Sequence, residues 1–166
     1  MKIITQRLLI RPLAAEDNMN MYRILWDFEH SPAKPYDFPR PADIDKINLH
    51  IRYWVRSGKY FSIDLKETGE TIGFICYEKD EIGFSTISSS HRMGYGYEAV
   101  SAFIDFMHTT KKKKHFTAQA AAANTPSVRL LTKLGFSEKS REYVNFRKDE
   151  KGNPIPCECI NFELEM

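Results

Sequence analysis

The chain has 166 residues, with 24 Lys and Arg against 22 Asp and Glu, a formal net charge of +2. That balance is too even to signal nucleic-acid binding, so any anion site has to be built locally. A hydrophobic share of 42% with 13% aromatics supports one packed core, and the length suits a single domain over residues 1–166.

Residues 3–13, IITQRLLIRPL, read as one strand ended by Pro12. Arg7 and Arg11 interrupt this apolar patch, so the start has the layout of neither an export signal nor a membrane span. Residues 14–30 place Met21, Ile24, Leu25 and Phe28 at helical spacing. Residues 31–41, SPAKPYDFPRP, carry four prolines and must be a loop. Residues 42–58 space Ile44, Ile47, Ile51, Trp54 and Val55 as a second helix, stopped by Gly58. KYFSIDLKETGETIGFICYE then reads as a hairpin turning at residues 67–70, Lys79 and Asp80 mark another turn, and residues 81–89 form a further strand.

SSSHRMGYGYEAV, residues 88–100, joins that strand to a helix whose inner stripe is Val100, Phe103, Ile104 and Met107. KKKK at 111–114 reads as a solvated helix end, where cations suit the dipole. The alanine-rich HFTAQAAAA, residues 115–123, reads as a strand packed closely on both faces. Asn124-Thr125-Pro126 opens the last helix, with a capping side chain and proline at the first helical position. Val128, Leu131 and Leu134 face inward, and Gly135 closes the helix. EKSREYVNFRK and CECINFELEM are two strands around the turn DEKGNP. The three cysteines, Cys76, Cys157 and Cys159, form no C-x-x-C pair. The C-x-C reads as alternating strand residues rather than a metal site, and the thiols suit a reducing cytosol. The element order is α/β with a mixed sheet, and its central strand–helix–strand unit is the usual setting for a parallel pair.

Two glycines, Gly94 and Gly96, stand at the strand-to-helix junction. Unpaired N–H groups at a helix start, open to close approach and favoured by the dipole, make a site for phosphate. The same letters spell G-x-G-x-x-[GA]. A dinucleotide fold would need an acidic residue about 20 positions later, and no Asp or Glu lies between Asp105 and Glu138. The Gly-Lys-[ST] of a Walker-type loop is also absent.

His91-Arg92-Met93-Gly94-Tyr95-Gly96 resembles the [QR]-x-x-G-x-[GA] acyl-CoA pyrophosphate loop of the GNAT superfamily of N-acyltransferases, and Glu98-Ala99 extends the likeness. Three further segments agree in order with the branch that acetylates ribosomal-protein N-termini. They are Thr5-Gln6-Arg7-Leu8-Leu9-Ile10-Arg11, Glu81-Ile82-Gly83-Phe84, and Asn124 with Ser127 followed by Leu134-Gly135-Phe136. The resemblance spans essentially the whole chain. It implies a mixed, mostly antiparallel sheet of about seven strands with about four flanking helices. It also implies a cytoplasmic enzyme, a monomer or homodimer, that uses acetyl-CoA with an amine acceptor and needs no metal, nucleic acid or membrane. His91 departs from the usual Gln or Arg.

By the same resemblance, backbone amides of the His91–Gly96 loop, at Arg92, Gly94 and Gly96, hold the pyrophosphate. Ser85, Thr86 and Ile87 lie beside the pantetheine arm, and Asn124 contacts it. Arg129 and Lys133, one helical turn apart, either reach the CoA phosphates or form an exposed polar face. Glu81 is the candidate general base, the alternative being a solvated turn carboxylate. Many members place a tyrosine acid where this chain has Leu131, so the proton donor falls to Ser127, which could instead simply bond to backbone. Tyr36, Phe38, Tyr143 and Asn145 are candidate acceptor contacts. Trp26, Phe28, Tyr53 and Trp54 read mostly as core. A protein N-terminus is the leading acceptor. A small amine, or a non-catalytic acyl-CoA-binding module, stays open.

Overall fold

The computed structural model describes residues 1–40 and 43–166. Pro41 and Ala42, the last residue of the expected proline loop and the first of the expected second helix, lie outside the described residues. The stretch expected to be one initial strand is a hairpin. β1 (Ile3–Ile4) turns back at Thr5, and β2 (Leu8–Pro12) runs antiparallel to it with Ile3 opposite Ile10. The Thr5 amide donates to the Leu8 carbonyl at 3.0 Å, and the Leu8 amide donates to the Thr5 hydroxyl at 2.8 Å. A threonine side chain closes this turn, so no Gly or Pro announces it.

α1 (Asn18–Glu29) buries Met21, Ile24 and Leu25, and α2 (Ile44–Ser57) buries Ile47, Ile51 and Trp54, as the helical spacing requires. Trp26 and Tyr53, expected in the core, are exposed; the Trp26 ring stacks on His30 instead. β3 (Tyr60–Leu65), β4 (Thr71–Glu78) and β5 (Glu81–Thr86) form a meander. The β4–β5 turn is the expected pair Lys79 and Asp80, both at positive φ (49° and 71°), the twist a two-residue hairpin favours. The Asp80 carboxylate secures it by accepting from the Tyr77 hydroxyl and from Lys113 Nζ, both at 2.7 Å.

α3 (Tyr95–Lys111) carries the chain back, burying Val100, Phe103, Ile104 and Met107. β6 (His115–Ala121), α4 (Thr125–Lys133), β7 (Ser137–Lys148) and β8 (Pro154–Glu165) follow. Asn124 caps α4 as expected, but Pro126 takes the second helical position because Thr125 is already helical. β6 is not packed on both faces. Phe116, Ala118 and Ala120 are buried, while Gln119 is exposed and Thr117 half-exposed. Cys157 and Cys159 are free thiols on β8, half-buried and buried.

Among the described residues the sheet order is β1-β2-β3-β4-β5-β6-β8-β7, antiparallel everywhere except at β5–β6. The count is eight strands rather than about seven because the first splits. The mixed α/β architecture with four α-helices is the one expected. No helix among the described residues is long and apolar enough to cross a membrane.

Candidate active site

Among the described residues, one ladder bridge joins the two halves of the sheet. β5 and β6 register only at Glu81 opposite Thr117, where the Thr117 amide donates to the Asp80 carbonyl at 2.8 Å. β5 stays paired to β4 through Thr86, and β6 stays paired to β8 through Ala121. Each strand follows its antiparallel partner, so the two diverge from the bridge and leave facing edges without ladder bonds. A cleft of about 330 Å³ occupies this opening, walled by Glu81–Ser85, Gln119–Ala121 and the start of α4. A second hollow of about 220 Å³, lined by Lys139, Asn161 and Glu163, meets the same seam at Glu81 and Gln119.

The junction of residues 88–97 stands at the wide end of the seam. Gly94 sits at φ 81°, ψ 0°, a left-handed conformation glycine adopts without the Cβ penalty, and starts α3 by accepting from the Glu98 amide at 3.0 Å. Gly96 serves another purpose: a Cβ there would lie 3.0 Å from Leu130 of α4, so the small residue lets the two helices close up. No N–H from Arg92 to Tyr97 has a hydrogen-bond partner among the described residues. Six consecutive free donors at the start of a 17-residue helix form an anion cradle. The His91 ring turns back, its Nε2 donating to the Thr86 carbonyl at 2.9 Å, and so braces the loop. On either flank a cation covers an aromatic ring, Arg7 over Tyr95 and Lys133 over Tyr97, each at 4.4 Å. Arg129 is exposed one turn before Lys133.

Of the residues singled out in the sequence, Glu81, Ser85, Asn124, Ser127, Tyr36 and Phe38 line one cleft. Asn124 Oδ1 accepts from the Ser127 amide at 3.5 Å, and the Ser127 hydroxyl makes no hydrogen bond among the described residues. The expected alternative of a backbone-bonded serine is therefore not what the helix shows. Glu81 is exposed, and its carboxylate has no ion pair or hydrogen bond among the described residues. Leu131, at the expected tyrosine position, is buried in the cleft wall. Thr86 and Ile87 lie outside the lining. The Ile87 amide donates to the Ile72 carbonyl, its carbonyl accepts from the Ser90 amide, and its side chain is buried.

Tyr143 and Asn145 are both exposed and stand outside the cleft, Tyr143 at 72% exposure. Strand alternation alone would set Arg147 on their face. An irregularity in register between Val144 and Arg147 breaks the alternation, and both Phe146 and Arg147 are half-buried. Phe146 enters the cleft and meets Phe38 edge-on at 5.1 Å. Arg147 reaches back to the 31–40 loop. Its Nε donates to the Asp37 carbonyl at 3.0 Å, and its two terminal nitrogens bind Glu29 at 2.9 and 3.1 Å. Glu29 also accepts from the Arg40 amide at 2.7 Å. Burial works to raise the Glu29 carboxyl, but these bonds outweigh it and hold its pKa below the ordinary value. This latch fixes Tyr36 and Phe38 over the cleft. Alternation from Val144 already carries Phe146 inward, a reading the sequence offered and that was missed, whereas Arg147 turns inward only at the local break in pairing. Among the described residues no group of three or more His, Cys, Asp or Glu is placed to hold a metal ion.

Residues 7–137 match the family described as acetyltransferase (GNAT) domain. An uncharacterized N-acetyltransferase p20 from Bacillus licheniformis is 33% identical over 92 residues, covering 50% of this chain and 52% of that protein. The match thus spans about half the length of that relative. Among solved structures, the ribosomal-protein-S5-alanine acetyltransferase of Vibrio fischeri superposes with a TM-score of 0.79 at 17% identity, covering 99% of this chain and 96% of its own. The microcin C7 self-immunity acetyltransferase MccE, solved with acetyl-CoA and AMP, gives a TM-score of 0.79 at 14% identity over 98% and 94%. These two likenesses are of fold.

Proposed function

The chain belongs to the GNAT acetyltransferase family, and we propose that residues 1–166 form one cytoplasmic acetyltransferase domain that transfers an acetyl group from acetyl-CoA to a primary amine, chiefly the N-terminal α-amine of a protein or peptide. The observation that carries this reading is the continuity of the seam. It runs from a cradle of six free amides, past the bare edge of β5, to an unpaired carboxylate at the β5–β6 bridge.

Acetyl-CoA, when bound, supplies an acetyl thioester whose carbonyl carbon accepts the amine. The amides of Arg92 to Gly96 hold the pyrophosphate, with the helix dipole behind them. Arg129 and Lys133 add positive charge beside it. The β5 backbone at Phe84 and Ser85 and the Asn124 side chain align the arm and polarise the carbonyl. Glu81 takes the proton that the amine nitrogen sheds as the new N–C bond forms and the C–S bond breaks. Ser127 Oγ gives a proton to the departing sulfur and regains one from solvent.

The amine must be neutral to attack. A lysine amine loses about 4.6 kcal/mol to be neutral at pH 7, and an α-amine only about 1.4 kcal/mol. The α-amine is therefore the acceptor that asks least of a proton-taking group. Thiol release from acetyl-CoA, followed with N-terminal peptides and small amines, tests the proposal. Release that depends on an α-amine supports it. Release only with small amines would overturn the protein-acceptor reading, and tight CoA binding without release would leave a binding module.

A further inference from the structure

Three carboxylates stand around the acceptor end of the cleft, and two are neutralised within the fold. Glu29 is held by Arg147 and by the Arg40 amide. Asp37 is paired with the Arg40 guanidinium. Glu81 alone, among the described residues, has no cationic partner. Much of the surrounding wall is apolar: Leu25, Phe28, Phe38, Phe74 and Phe146, with the Tyr60 ring. Tyr60 is backed by Trp54, stacked at 4.4 Å, and Phe38 by Phe146, so these rings are fixed by their neighbours.

One unpaired carboxylate in an aromatic-walled cleft of about 330 Å³ matches one positive charge on an apolar body. A polyamine or an aminoglycoside brings two or more ammonium groups. The second would leave water for a wall whose other carboxylate, Asp37, is already paired with Arg40 at the same end. An apolar side chain gains by burial there. Building on the acetyl-transfer reading, we propose that the acceptor is a monoamine whose α-amine is borne by a residue with a bulky apolar side chain, Phe, Leu or Met in kind, seated against the contacting pair Phe38 and Phe146. Polyamines and N-termini with small first residues are poor ligands.

Calorimetric titration of the CoA-saturated protein with Phe-Gly-Gly, Leu-Gly-Gly and Ala-Gly-Gly amides and with spermidine tests this. The Phe and Leu peptides are expected to bind at least tenfold more tightly than the Ala peptide and than spermidine. Phe146→Ala is expected to cut that preference at least fivefold, and Phe146→Leu to retain most of it, both with unchanged CoA affinity. Equal or tighter binding of spermidine or the Ala peptide would overturn the inference, as would a preference unaltered in both Phe146→Ala and Phe38→Ala. Selective binding without thiol release from acetyl-CoA would sink the transfer reading and leave this one standing.

Discussion

Arg7 and Glu98 are locked together across 91 positions of sequence. Glu98 Oε2 accepts from Arg7 Nε at 2.7 Å, and Oε1 accepts from the Arg7 amide at 2.9 Å and the Thr5 hydroxyl at 2.6 Å. Arg7 Nη1 continues to the Met93 carbonyl at 3.0 Å. The turn of the first hairpin is thereby fastened to the start of α3 and to the loop before it. Thr5 and Arg7 from one sequence motif and Glu98 from another are parts of one clasp that sets the shape of the amide cradle.

Glu98→Ala removes at once the acceptor for the Thr5 hydroxyl, the Arg7 amide and Arg7 Nε. It is expected to cost about 2 kcal/mol in stability, the scale of hydrogen bonds to a charged group, and to weaken acetyl-CoA binding about tenfold or more. Urea unfolding and calorimetry measure the two effects. Unchanged CoA affinity in the folded variant would show that the cradle holds its shape without the clasp.

Three carboxylates give the fold an acid limb. Burial works to raise Asp17, Glu29 and Glu98, but in each the hydrogen bonds outweigh it and the pKa ends below its ordinary value. Asp17 accepts from both terminal nitrogens of Arg11 and from the Ala14 amide, all at 2.8 Å. A carboxyl depressed in the folded state contributes stability that is complete above its unfolded pKa of about 4 and is lost as pH falls through the folded value. Unfolding free energy should therefore be flat from pH 7 to about 5 and fall below that. Asp17→Asn should be less stable at pH 7 and show a shallower acid limb in urea titrations at successive pH values.

Gly94→Ala puts a side chain at φ 81°, at an expected cost of about 1–2 kcal/mol. Gly94→Asp adds a carboxylate beside the cradle and should abolish acetyl-CoA binding by calorimetry. A folded Gly94→Asp protein with wild-type CoA affinity would place the pyrophosphate elsewhere.

Arg147→Ala releases the latch on the 31–40 loop. The two side chains of the Arg147–Glu29 pair are only 14% and 12% exposed, so breaking the pair should cost about 2–3 kcal/mol, short of a fully buried pair. The acceptor KM should rise at least fivefold with the Kd for acetyl-CoA unchanged. Arg147→Lys, which keeps the charge but loses the two-pronged geometry, should fall between. Steady-state kinetics and calorimetry together separate the latch from a general loss of structure, which would move both constants.

Ser127→Ala and Glu81→Gln act on proton transfer rather than binding. Each should lower kcat about tenfold to a hundredfold, at the lower end of general acid–base effects, with acetyl-CoA affinity kept. The Glu81→Gln loss should shrink as pH rises and more of the α-amine is already neutral. An unchanged rate in either variant removes that residue from the chemistry.

Local patterns in the chain determined much of the architecture. Helical spacing set α1, α2 and α3, positive-φ turns and capping residues set the borders of β5 and α4, and glycines flanked by a strand and a helix set the anion loop. Such features depend on residues a few positions apart, so the sequence carries them directly. The first hairpin was hidden because its turn is closed by a threonine hydroxyl. On β7 the cleft is lined by Phe146 rather than Tyr143 or Asn145, and an irregular register lets Arg147 turn inward beside it. The clasp of Arg7 on Glu98, the latch of Arg147 on Glu29 and the isolation of Glu81 join or separate side chains about 80 to 120 positions apart. Only the tertiary structure decides these, since whether a charge is paired depends on which distant partner the packed sheet and helices bring within bonding distance.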